Sequence, residues 1–158
     1  MAQHTERTLV IIKPDGVIRG LIGEVLQRFE RKGFRIVGMK FGHLTDELLD
    51  EHYAHIKDKP FYPGVAKFMK SAPSLMLAVE GKNVVAAVRT MGGVTNAAEA
   101  TPGTIRGDFA QSIQQNVVHI SEDLAAAQVE VPRFFKDSEL FEYTRAEFAA
   151  IFSEEERA

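Results

Sequence analysis

Four short apolar runs with helical patterns between them constrain this chain more than any other feature. The first, Thr8 to Ile12, ends at Lys13 in front of the turn residues Pro14-Asp15-Gly16. Ile22, Val25, Leu26 and Phe29 then follow helical spacing, and Gly33 supplies a stop. Phe34 to Leu44 is predicted as the second strand. Thr45 is the expected cap of a helix carrying Leu48, Leu49, His52, Tyr53 and Ile56 on one side. Beyond Phe61-Tyr62-Pro63-Gly64 a short helix turns Val65, Phe68 and Met69 inward. Leu75 to Val79 is the third strand, and Asn83 is placed to cap a helix running through Val84, Val85 and Val88 to Met91. The fourth run, Val117 to Ile120, precedes Ser121, the expected cap of a further helix with Glu122 and Asp123 at its positive end. The order is β-α-β-β-α-β with an extra helical pair after the second strand. It predicts an α+β, ferredoxin-like sandwich: a four-stranded antiparallel sheet covered by helices on one face, with a long loop before the last strand.

That loop, from Gly92 to Asn116, is too long for a plain connection and is neither low in complexity nor highly charged. Ordered loops of such length usually serve function. It leads into a strand on which His119 and Ser121 share one face while Val118 and Ile120 take the other. A histidine is thus delivered from a rigid element, with Arg106 upstream and Asn116 just before it.

Composition narrows the classes. With 158 residues, 45% of them hydrophobic, the chain matches one domain, residues 1–158, with a substantial core. A formal net charge of -3 gives nothing global to draw it to nucleic acid or an anionic membrane. The absence of cysteine excludes disulfides, thiolate zinc sites and thiol nucleophiles. No long apolar segment follows the first residues, so neither a signal peptide nor a membrane span is expected, and a cytoplasmic location is.

Most familiar motifs are missing. There is no G-x-x-x-x-G-K-[ST], no G-x-G-x-x-G and no protein-kinase catalytic loop. Glu51-His52-Tyr53-Ala54-His55 lacks the spacing of a metalloprotease zinc helix and reads as an ordinary helix face. Lys32-Gly33-Phe34 opens like an RNA-reading signature, but Arg35, Ile36 and Met39 stand where the small residue and the stacking rings belong. What survives is a cationic set at element ends: Lys13, Arg89 and Arg106. Converging on the face of His119, these residues would suit phosphoryl transfer, which asks a protein chiefly for in-line positioning and neutralised oxygens. A neutral imidazole, with its free-solution pKa of ~6.5, is a competent nucleophile at pH 7.

The runs ERTLVIIKPDGV (Glu6 to Val17), RGLIGEVLQRFERKGF (Arg19 to Phe34), EHYAHIKDKPFYPG (Glu51 to Gly64), TPGTIRGDF (Thr101 to Phe109) and NVVHIS (Asn116 to Ser121) occur in order over most of the chain. In them the chain resembles the nucleoside diphosphate kinases. That resemblance implies reversible transfer of the terminal phosphate of a nucleoside triphosphate such as ATP to a nucleoside diphosphate. The route is ping-pong, through a phosphohistidine on Nδ1, with Mg2+ carried on the nucleotide phosphates and no metal ligated by the protein. His119 would be the nucleophile, and Arg89, Thr95 and Arg106 the phosphate ligands. Lys13 and Asn116 would hold the sugar hydroxyl, Phe61 would stack on the base, and Ile113 would lie on its other face. Tyr53, Ser121 and Glu130 would support the histidine, with Glu130 orienting its ring. The resemblance also implies a homo-oligomer, most often a hexamer. Ile120 departs from the glycine or small residue usual after the histidine. Glu122, Ala72 and Ala97 depart from an aspartate, a glycine and a proline respectively. A catalytically silent relative that binds nucleotide or serves as a scaffold on the same fold is the alternative; it would be favoured by loss of the histidine or of a phosphate arginine, and both are present.

Overall fold

A computed structural model describes residues 5–157; residues 1–4, where the absence of a leader was partly read, lie outside the described residues. Four strands form one antiparallel sheet in the order β2-β3-β1-β4, with β1 Thr5–Ile12, β2 Arg35–Gly42, β3 Ser74–Lys82 and β4 Val118–Ile120. The helices are α1 (Pro14–Ile18), α2 (Ile22–Lys32), α3 (Asp46–His52), α4 (Tyr62–Met69) and α5 (Val84–Gly92). They are followed by α6 (Ile105–Phe109), α7 (Leu124–Phe134), α8 (Phe148–Ile151) and α9 (Glu154–Arg157). The βαββαβ order and the antiparallel sheet are as expected. None of these helices is long and apolar enough to cross a membrane.

The helices cover both faces of the sheet, not one. Strand alternation sends Val10, Ile12, Val118 and Ile120 into a core with Val25 and Phe29 of α2 and Val84 and Val88 of α5. The opposite side chains, Leu9 and Ile11, join a second core with Leu49 of α3, Met69 of α4 and Val131 and Phe134 of α7. The one-face reading came from the two helices of the βαβ units; the helical pair after β2 and the helix after β4 supply the second layer. His119, paired with Ile11, faces this second layer from an edge strand.

Several local expectations change. Pro14-Asp15-Gly16 is not a bare turn but the start of α1, with Pro14 at its first position, where a missing N–H costs nothing. Thr45 caps α3 as expected, its hydroxyl accepting from Leu48 N. Asn83 precedes α5 in a left-handed conformation and makes no side-chain cap. Ser121 does not cap α7; Asp123 does, accepting from Ala126 N at 2.8 Å. The long loop is ordered by a single 3-10 turn at Ala97–Glu99 and by α6. Ile120 extends along the strand with no positive φ, and its δ-methyl lies 2.2 Å from where a Cβ at Gly92 would stand.

Candidate active site

The backbone residue under strain is Val117, with φ 72°. A β-branched residue in this region is a true outlier, costing on the order of 1–3 kcal/mol, and persists only where its surroundings impose it. Here both sides of the peptide are gripped. Val117 O accepts from Lys13 N at 2.8 Å, and Val117 N donates to Asp15 Oδ2 at 3.0 Å. Gly16 leaves room for the contact, since a Cβ there would stand 3.1 Å from the Val117 side chain. The start of α1 thereby sets the approach of the chain into β4 and presents His119.

His119 Nε2 lies 3.2 Å from Glu130 Oε2, and the same oxygen accepts the Ser121 hydroxyl at 2.5 Å. Ser121 Oγ in turn accepts from Leu9 N at 3.2 Å, which fastens the group to the centre of the sheet. This explains why Ser121 is unavailable as a cap. Burial works against ionisation of Glu130, yet its bonds to His119 and Ser121 and the nearby histidines bring it down to about 2. Burial also lowers His119 from its ordinary value, opposed by Glu130 and assisted by Lys13 and Arg106. At neutral pH the pair is therefore a carboxylate facing a neutral imidazole. A carboxylate only accepts, so the imidazole proton sits on Nε2 and the lone pair on Nδ1.

Three cations approach this pair. Arg106, 3% exposed, donates to Gly93 O at 2.8 Å and to Val118 O at 2.7 Å, leaving its buried Nε without a partner among the described residues. Burial and then the charge of Arg89 bring Arg106 down to about 10. Lys13 Nζ donates to Asn116 Oδ1 at 2.7 Å, and Asn116 Nδ2 donates to Thr95 O and Ile113 O, each at 3.0 Å. Burial, then Arg106, bring Lys13 down to about 8 against the pull of Asp15. Arg89 and Thr95 line a cavity of about 740 Å³ together with His119 and Glu130. A set of guanidinium, ammonium and hydroxyl donors, with an orphaned buried N–H among them, is built for phosphate oxygens rather than for a bare cation.

The remaining expected residues occupy other positions. Tyr53 packs on His52 with ring centroids 4.8 Å apart, and burial, then Glu130, raise its hydroxyl to about 12. Phe61, 59% exposed, and Ile113, 65% exposed, stand at the surface and do not line the histidine cavity. Ile113 is tied to the site through its carbonyl, held by Asn116. Three residues were not anticipated: Asp15, read as a turn residue; His52, read as a helix-face residue; and Arg133. Only His52 carried a signal, since it fell on the inward side of its helix. His52, His119 and Glu130 offer one ligand atom each within 4.8 Å of one another, a spacing that invites comparison with a metal centre.

The family model for nucleoside diphosphate kinase matches residues 6–140. A nucleoside diphosphate kinase of Columba livia is 52% identical over 143 residues, covering 90% of this chain and 94% of the relative. Nucleoside diphosphate kinase B of Bos taurus is 49% identical over 149 residues, covering 94% and 98%. Among solved structures, the halophilic nucleoside diphosphate kinase of Halobacterium salinarum, in complex with CDP, superposes with a TM-score of 0.91 at 43% identity, covering 95% of this chain and all of that one. With these relatives, this sheet and this site, the chain belongs to the nucleoside diphosphate kinase family.

Proposed function

We infer that the chain is a nucleoside diphosphate kinase, a single catalytic domain over residues 1–158, and that His119 is its phosphate acceptor. The observation that carries the assignment is the Glu130 carboxylate on Nε2, which directs the lone pair of a neutral ring to Nδ1. Nδ1 attacks the terminal phosphorus of a nucleoside triphosphate, the N–P bond forms as the bond to the leaving diphosphate oxygen breaks, and the diphosphate departs. The ring gains positive character in this step, and the ionised Glu130 offsets it through Nε2–H. A second nucleoside diphosphate then takes the phosphoryl group by the reverse chemistry.

In this reading Arg106, Arg89 and Thr95 bind phosphate oxygens, with Lys13 near the transferred group. Lys13 and Asn116 also hold the sugar hydroxyl, Tyr53 supports the ring of the nucleophile, and Phe61 with Ile113 flanks the base. Mg2+ would arrive on the nucleotide phosphates, held here through Arg89, Thr95, Arg106 and Lys13, and would supply further neutralisation of their charge. The exposed apolar side chains Met39 and Phe41 on the edge strand β2, with Phe141, support self-association, and we read the assembly as a hexamer. The location is read as cytoplasmic, with neither nucleic acid nor membrane as a partner.

The test is covalent. ATP with Mg2+ should label the protein in the absence of an acceptor. The label should survive alkali, be lost in acid, and be discharged by added diphosphate. His119→Ala should bind nucleotide and carry no label. Label persisting in that variant overturns the assignment, and an unlabelled wild-type chain leaves the silent-relative reading.

A further inference from the structure

His52 ends α3 and enters the site from the side opposite the sheet. Its ring meets His119 edge to face, centroids 4.4 Å apart and planes at 81°. Phe134 packs on it at 5.1 Å and 88°. The residue is only 5% exposed. Arg133 Nη1 lies 3.2 Å from His52 Nδ1, and the Nε of the same guanidinium is paired with Glu51. A guanidinium can only donate, so Nδ1 must carry the lone pair and Nε2 the proton. That Nε2 is buried without a hydrogen-bond partner among the described residues.

This tautomer argues against a metal at His52, His119 and Glu130. To ligate through Nε2, His52 would have to give up its proton while Arg133 still aims an N–H at Nδ1. Lys13 and Arg106 already bear on His119 electrostatically, and a third source of positive charge would be unwelcome. The geometry suits a different role. Glu130 and Arg133 lie three residues apart on α7, so one turn of that helix grips both rings, His119 by Nε2 and His52 by Nδ1. A single contact at Nε2 would leave the His119 ring free to swing about it. A second ring against its side removes that freedom.

We propose that His52 is a positioning residue: clamped by Arg133, it buttresses the imidazole of His119 and fixes the plane in which Nδ1 is presented. The proposal rests on His119 as nucleophile. A neutral ring is suited to this place, because a charged one would repel the developing charge on His119. The groups bearing on His119 are Glu130 from α7, His52 from α3, Lys13 from the end of β1 and Arg106 from α6; those bearing on His52 are His119, Glu130, Arg133 and His55. The buttress also keeps water from His119, and burial is what lowers that histidine. Its removal should raise the His119 pKa.

The test is single-turnover phosphorylation of the full chain by ATP and Mg2+ across pH, with nucleotide affinity measured separately. His52→Ala should slow phosphorylation by about 10- to 100-fold, the range expected for a misoriented reactant. Its affinity for ADP should stay within about twofold. The acidic limb of its rate profile should move to higher pH. His52→Phe, which keeps a ring edge and lets Arg133 turn to Glu51, should regain most of the rate and the original limb. His52→Leu fills the volume without a ring edge; it should be slow, and it decides the matter if the alanine variant does not fold. Three results would overturn the proposal: alanine or leucine variants at the wild-type rate, a phenylalanine variant as slow as leucine, or equimolar Zn2+ inhibition of the wild type that the His52 variants lose. A labelled wild type with unaffected His52 variants defeats this inference alone. An unlabelled wild type defeats the assignment of His119.

Discussion

Glu130→Gln isolates the charge behind the proposed nucleophile while keeping its shape. The carboxylate stands 3.2 Å from His119 Nε2. At an effective dielectric of about 20, a full unit charge at that distance is worth about 5 kcal/mol, an upper bound because only part of a charge develops before the transition state. A hydrogen bond to a charged group nets about 1.5–3 kcal/mol, against about 1 kcal/mol for a neutral one. Glutamine can still accept from Nε2–H and Ser121, so the loss is the difference, about 0.5–2 kcal/mol, or roughly 2- to 30-fold in the phosphorylation rate. Rapid-quench measurement of phosphoenzyme formation reads this directly, and nucleotide affinity should hardly change. A pH profile adds a sign. Glu130 raises His119 against burial, so its neutralisation should lower the His119 pKa further and move the acidic limb to lower pH. A glutamine variant phosphorylated within twofold of wild type, with an unmoved limb, would refute the role of the carboxylate.

Arg106→Ala removes a donor to two carbonyls and, in the proposed reading, a phosphate ligand, so kcat should fall by the equivalent of about 2.7–4 kcal/mol, more than affinity falls, with a lowered Tm; unchanged kcat would make it a structural residue only. Because Phe61 and Ile113 offer contact surface rather than edge recognition, GDP, CDP, UDP and deoxy-TDP should all accept phosphate, purines somewhat better by stacking worth ~1–3 kcal/mol. Selectivity of several orders of magnitude for one base, read in kcat/KM, would count against that pocket. Acid should destabilise the fold in two stages, measured by urea unfolding. His52, lowered to about 3 by burial and then by His119, is protonated first in the unfolded chain, so stability should fall from about pH 6.5 downward by up to about 1.4 kcal/mol per unit. His119, also lowered by burial, contributes to the same upper stage, so His52→Phe should reduce that stage without abolishing it, and Glu130, held near 2, adds a separate loss below its ordinary range.

The sheet was legible because β1, β3 and β4 centre on apolar runs bounded by turn residues, and its antiparallel pairing follows from the βαββαβ order. The second helical layer was harder, because the local patterns of α3, α4 and α7 show an inward side but not which face of the sheet it covers; α1 and α6, of about one turn each, are too short to display a period. Side chains with two possible uses were the least predictable. Ser121 has the chemistry of a cap, but the partner that claims it, Glu130, lies nine residues away on another element. Ile120 is accommodated in the strand, and the backbone strain falls at Val117, where no local pattern could show it, because the grip of Asp15 and the Lys13 backbone is made across more than a hundred residues of sequence. His52 showed its inward direction but not its neighbour. That it reaches His119 depends on how α3 and α7 pack together, which no local pattern records.

The δ-methyl of Ile120 takes the space that any side chain at position 92 would need. A methyl at position 92 would ask that δ-methyl to turn away, which changes a rotamer and leaves the backbone where it is. The two positions are therefore coupled in the core. Gly92→Ala should be tolerated less well while isoleucine stands at 120 than after Ile120→Val, which takes the δ-methyl away. A library that varies position 92 alone should favour glycine, while one that varies both should admit alanine at 92 more often where 120 has become smaller.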